Sequence, residues 1–273
     1  MESVNARIRY LSPDWRGRRE RPRISTREQR RSNTRFYDVE IEDARPLLQR
    51  GELSLEGCGF VLLPHASEVR NFRDDAEIAR VYYPEIRKLL LELTGAQHTP
   101  ILQHVIRRED ATAFNAAYAR YVHCDYSESQ ADSFARQLMV QAGICSARKT
   151  SRYDYAWYNT WQPIERPVES NPLTVIDTRT LERGDFVDYA FLESGDDNLA
   201  SAPLHSEQHR HYYFPHMQTD ELLVFKQLDS RDELGSPCAH TSFDDPRTAE
   251  DAPRRRSIEV RVMCVFERKR PGR

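Results

Sequence analysis

The 273 residues carry 40 basic against 43 acidic side chains, a formal net charge of -3, so no global field recommends nucleic acid or a membrane surface as a partner. Five cysteines, odd in number and without C-x-x-C spacing, argue against a disulfide framework or structural zinc and point to a reducing, cytoplasmic setting. No leader is expected at the arginine-containing start, no stretch approaches the roughly 18 apolar residues of a membrane span, and no Walker, G-x-G-x-x-G or G-x-S-x-G pattern is present.

In chain order, residues 1–35 read as an arginine-rich arm, with Arg16, Arg18, Arg19, Arg21 and Arg23 set among prolines and serines as a solvated segment. Residues 36–273 read as one domain. Alternation predicts strands over 36–41 and 59–63, both at sheet edges. Helical spacing of Ile78, Val81, Tyr82, Ile86, Leu89, Leu90 and Leu93 predicts a helix over about 74–95, stopped by Gly95. A strand over 100–107, a strand-like run Tyr121–Tyr126 and a polar helix over 128–141 follow. Further strands are expected over 153–161, 173–176, 211–214, 221–225 and 257–266. Early helices and late short strands fit a mainly β fold with flanking helices around a double-stranded β-helix, or jelly-roll, core.

Within the run at 121–126, residues two apart share a face, so His123 and Asp125 can grip one ion. A third ligand from a distant strand would complete a facial triad of two imidazoles and one carboxylate, leaving a face of the metal open. His240 is the candidate because a strand and turn, Asp220 to Lys226, precede it; His209 is the runner-up, while His205 and His216 lie near loop residues. An organic acid chelating such a metal needs a cation for its far carboxylate, and Arg255 and Arg261 supply one. Alternation puts both on one face with Ser257 and Glu259, the latter a competing partner for the guanidiniums. Asn159 and Trp161, and also His211 and Tyr213, are candidates for the wall of a substrate pocket.

These pieces resemble a family. Gly59-Phe60, Val81 to Glu85, Val122 to Ser127, Asn159 to Ile164, Asn171 to Leu173, His209 to Tyr213, Phe225 to Ser230, Ala239 to Phe243 and Arg256 to Arg261 are similar, in order, to the secondary-metabolite hydroxylase/desaturase family. That family includes gibberellin desaturase-like proteins, the cephamycin C-7 component and a fungal endoperoxide-forming enzyme. The resemblance implies an iron(II)- and 2-oxoglutarate-dependent oxygenase using O2, with His123, Asp125 and His240 as metal ligands. Arg255, Ser257 and Arg261 also resemble the 2-oxoglutarate clamp of nucleic-acid demethylating oxygenases. Two departures stand out: Gln162 where the family has a basic residue, and His211 where it has tryptophan. A small-molecule substrate is expected, with no nucleic-acid or membrane partner and room for a homodimer. The rival classes are a non-redox metal-dependent isomerase or lyase and a non-catalytic partner of a biosynthetic enzyme.

Overall fold

The computed structural model describes residues 2–108, 119–191, 199–231 and 237–268. Strand β1 (Ser3–Leu11) pairs antiparallel with β2 (Thr34–Asp43). Val4, Ala6, Ile8 and Tyr10 alternate with Asn5, Arg7 and Arg9, which buries one face of β1. The start of the segment expected as an arm is thus a strand, its period-two pattern masked by the arginines on its wet face. Those that follow it stay at the surface, where Arg16 meets Asp185 at 2.9 Å. Helix α1 (Arg27–Asn33), capped by the Thr26 hydroxyl, returns the chain to β2.

After α2 (Arg45–Gln49) and β3 (Phe60–Pro64) comes the long helical run. It opens with α3 (Asp75–Glu77), where the Asp74 carboxylate accepts from the N–H groups of Ala76 and Glu77. The turn Ile78–Tyr82 widens to π geometry ahead of Pro84, which has no N–H to give, and α4 (Tyr83–Thr94) completes the run. Gly95 stops it in the left-handed conformation, φ 70°.

The remaining elements are β4 (Ile101–Arg108), α5 (Glu128–Gln141), β5 (Tyr153–Pro163), β6 (Leu173–Ile176), β7 (Phe186–Ala190), β8 (Leu199–Pro203), β9 (His211–Tyr213), β10 (Glu221–Asp229), β11 (His240–Ser242) and β12 (Arg256–Glu267). The larger sheet runs β3-β10-β5-β12-β4, the second β1-β2-β9-β6-β11, and β7-β8 pair separately. The strand at β3 is an edge as expected. That at β2 is not, since it lies between β1 and a parallel partner, β9. The hairpin of β7 and β8 lacks strong alternation and was not anticipated.

The two five-stranded sheets form the jelly roll. Phe60, Leu62, Trp161, Val175, Tyr212, Leu223 and Phe225 pack in one cluster between them. Helix α4 covers the outside of the larger sheet, with Ile86 and Leu90 against Tyr158, Val224, Ile258, Val260 and Val262. Strands β5 and β12 are therefore buried on both faces, and on β12 the inward positions are Ser257, Glu259 and Arg261. Helix α5 places Ala131, Ala135 and Met139 against Trp157 and Met263.

Two glycines give a test of backbone constraint. A Cβ at Gly59, φ 88°, would lie 2.3 Å from Cγ2 of Thr178, whereas one at Gly95 meets nothing within 4 Å. Gly95→Ala is expected to cost roughly 1 kcal/mol for its left-handed conformation alone, and Gly59→Ala clearly more, read from urea unfolding midpoints.

Candidate metal centre and flanking pockets

The segment around His123 is not a regular strand. Only His123 and Cys124 pair, and to different partners: His123 bridges His240 of β11, with N···O distances of 3.1 and 3.0 Å, and Cys124 bridges Ser201 of β8. The expected strand Tyr121–Tyr126 is thus a short cross-link between two strands. It still delivers the period-two geometry, because Nε2 of His123 lies 3.7 Å from Oδ1 of Asp125. His123, Asp125 and His240 each offer a ligand atom, all within 4.8 Å of one another. Antiparallel pairing of His123 with His240 sets their rings 4.4 Å apart.

The protonation states suit a cation. Nδ1 of His123 donates to the Tyr121 carbonyl at 2.9 Å, and since a carbonyl only accepts, Nε2 keeps its lone pair. Burial holds both imidazoles below the usual histidine value, His240 down to about 3, so both are neutral near pH 7. Burial pushes the Asp125 carboxyl up, but Arg261 and the Asn159 amide override it and hold the group below the usual carboxylate range. The guanidinium of Arg261 donates to Oδ1 at 2.6 Å and Asn159 donates to Oδ2. The Asp125 N–H in turn donates to Gln227 at 2.8 Å, whose amide donates to the Cys238 carbonyl at 2.9 Å. Nδ1 of His240 and Oγ of Ser257 are buried without a hydrogen-bond partner among the described residues. Two neutral imidazoles, one oriented carboxylate and an unsatisfied ring nitrogen fit a divalent metal.

A small pocket touches His123 and His240 and is walled by Trp161, Arg107, Arg255 and Glu259. Arg107 is paired there with Glu259 at 3.7 Å. Arg255 is 2% exposed and lies 5.1 Å over the Trp161 ring. Arg261 sits elsewhere: it bonds Asp125 and, at 3.2 Å, Glu259, the anticipated competitor. A second pocket, beside Asp125 and Arg261, is walled by α5 and β8.

The other candidates separate. Asn159 holds Asp125 and Trp161 walls the first pocket. His211 and Tyr213 do not reach it, because the alternation on β9 turns Tyr212 into the core between the sheets and its two neighbours to the opposite side. Tyr213 instead bonds Arg247 at an outer groove. His209 is not near the triad; with His211 it brackets the Tyr10 hydroxyl, at 3.0 and 2.7 Å. His205 stacks on Tyr37. Gln162 also faces away, accepting from Tyr82 at 2.6 Å and pairing with His65 at 2.9 Å. Sequence reasoning missed Gln227, turned inward by a bulge between Lys226 and Leu228, and Arg107, which lies opposite Ser257 across β4 and β12. Neither left a signal: β4 also carries Gln103, His104 and Arg108, and nothing in β10 marks the bulge.

A family model described as oxidoreductase/YMDC permease-like domain matches residues 8–265. The chain is 28% identical over 233 residues to the Fe(II)/2-oxoglutarate-dependent dioxygenase nvfI of Aspergillus novofumigatus, covering 83% of this chain and 82% of that one. It is 28% identical to the hydroxylase/desaturase efuI of Hormonema carpetanum, covering 97% and 96%. A solved structure of the iron and alpha-ketoglutarate-dependent endoperoxidase NvfI matches with a TM-score of 0.85 at 25% identity, covering 97% of this chain and 99% of that one.

The histidines at Tyr10 give a pH test independent of the metal site. Burial lowers His209 to about 4 and His211 to about 3. The stability tied to their neutral forms is complete above the ordinary histidine value of about 6.5 and is lost as pH falls from there toward the lowered values. His211→Gln is expected to make the fall of Tm below about pH 6.5 shallower than in the parent protein, measured by calorimetry across pH.

Proposed function

This chain belongs to the oxidoreductase/YMDC permease-like domain family, and we propose that it is an iron(II)- and 2-oxoglutarate-dependent oxygenase acting on a small organic molecule. One observation carries this reading: His123, Asp125 and His240 offer ligand atoms within 4.8 Å of one another, and a pocket beside the two histidines is lined by Arg107 and Arg255. The relatives named Fe(II)/2-oxoglutarate-dependent dioxygenase nvfI and hydroxylase/desaturase efuI support it. When bound together, iron(II), 2-oxoglutarate and O2 supply an oxidant able to take a hydrogen atom from an unactivated C–H bond, with 2-oxoglutarate leaving as succinate and CO2.

In this reading the residues divide the work. His123, Asp125 and His240 hold the metal. Asn159 and Arg261 fix the orientation of the Asp125 carboxylate, and Gln227 fixes the backbone beneath it. Arg255 and Ser257 hold the far carboxylate of 2-oxoglutarate, with Trp161 as the pocket wall. Burial of all three ligands keeps bulk water from the reacting atoms. Hydroxylation, desaturation and oxidative ring closure begin with the same hydrogen abstraction and all remain open to this site. No helix among the described residues is long and apolar enough to cross a membrane. The unpaired cysteines support a cytoplasmic location.

Anaerobic titration with iron(II) and then 2-oxoglutarate is expected to develop the visible charge-transfer band of the chelate, and admission of O2 to release succinate. Replacing His123, Asp125 or His240 by Ala should abolish the band. Arg255→Gln should retain iron and raise the KM for 2-oxoglutarate about 10- to 100-fold, the loss of one or two charge-assisted hydrogen bonds. No band and no succinate from the parent protein would sink the assignment.

A further inference from the structure

Two pockets with differently charged linings adjoin the triad, one lined by His123 and His240 and the other by Asp125 and Arg261. On the side of His123 and His240 the pocket holds Arg107 and Arg255 against Glu259. On the other side a cavity of about 510 Å³ opens beneath α5, within the range of pockets that enclose small organic ligands. Phe134, Phe191 and Leu199 supply its apolar wall, and Gln130, Gln137 and Ser133 its neutral hydrogen-bonding groups. Its only charged lining residues among those described are Asp125 and Arg261, and these neutralise each other at 2.6 Å.

We propose that this cavity beneath α5 is the binding site of the organic substrate, and that it selects an uncharged, largely apolar molecule bearing hydroxyl or carbonyl oxygens. Among the described lining residues an ionised substituent would leave water and meet no unpaired opposite charge, because the one ion pair is already satisfied. Carboxamides and hydroxyls can donate to or accept from neutral oxygens without that penalty. The face of α5 sets the shape: Gln130, Ser133, Phe134 and Gln137 recur at helical spacing along it, and Phe134 is braced by stacking on Trp157 at 5.4 Å. Asp125 lines this cavity and is also one of the three candidate metal ligands, so a ligand seated here lies next to the metal centre. This assignment rests on the iron reading above for its catalytic meaning.

The test uses two probes of one scaffold, neutral N-phenyl-1-naphthylamine and its sulfonated analogue 8-anilinonaphthalene-1-sulfonate, titrated by fluorescence into protein holding iron(II) and 2-oxoglutarate under nitrogen. The neutral probe should bind at least about tenfold more tightly than the sulfonate, since the charge must be desolvated without a partner. Ser133→Trp and Gln137→Trp, both at exposed positions on the rim, should each weaken the neutral probe at least about tenfold by filling the mouth and leave the chelate band unchanged. Asp132→Trp, on α5 outside the lining, should bind as the parent does. Equal or tighter binding of the sulfonate, or unchanged binding of the neutral probe in both rim variants, would overturn the proposal. A missing chelate band with intact, rim-sensitive probe binding would fall on the iron reading and leave the cavity assignment in place.

Discussion

A carboxylate taken out of water must be held by charge and hydrogen bonds, and the site is organised around meeting that demand at Asp125. Its partners come from three strands of one sheet: Asn159 on β5, Gln227 on β10 and Arg261 on β12. The segment carrying His123 and Asp125 has no extended ladder of its own, so these contacts, with the bridges to His240 and Ser201, give it a single position. Remove the clamp and only the backbone bridges at His123 and Cys124 are left to set where the Asp125 carboxylate lies.

That clamp is only as rigid as β12, and β12 is made rigid from behind. Its outward residues Ile258, Val260 and Val262 are fully buried against α4, each contributing roughly 1.5–3 kcal/mol of burial free energy. Desolvating each ion on the inward face opposes this by several kcal/mol, which the pairing of Arg261 with Asp125 and Glu259 offsets. The helix therefore belongs to the metal centre although it touches none of its ligands. Apolar packing on one face of a strand lets the other face carry charge.

The parts legible in the sequence were those governed by local period. The helical run from Asp75 to Thr94 lies where its spacing put it, the inward set Ser257, Glu259 and Arg261 follows from strict alternation, and His123 with Asp125 follows from two-residue geometry. Choices between equivalent faces were not legible. Alternation on β9 says that His211 and Tyr213 share a side, but which side is core depends on the pairing of β9 with β2 and β6. Alternation gives Arg255 and Arg261 one face, yet Arg255 lies just before β12 and the two line different pockets. The inward turn of Gln227 arises from a bulge that no residue in β10 announces.

The two departures from the family pattern look, in sequence, like changes to the substrate pocket, and the hydrogen bonding gives them another cause. Gln162 offers its carbonyl oxygen to the Tyr82 hydroxyl and to His65, while its amide donates to the carbonyls of His65 and Thr219. A basic side chain has donors and no acceptor, so it would leave the proton of the fully buried Tyr82 hydroxyl without the acceptor that Gln162 provides. His211 answers Tyr10 in the same way, as a ring nitrogen facing a buried phenol. Both residues track a tyrosine behind the sheets. Substrate choice is better sought on the α5 side of Asp125, where side chains can vary without disturbing the bonds that hold the carboxylate.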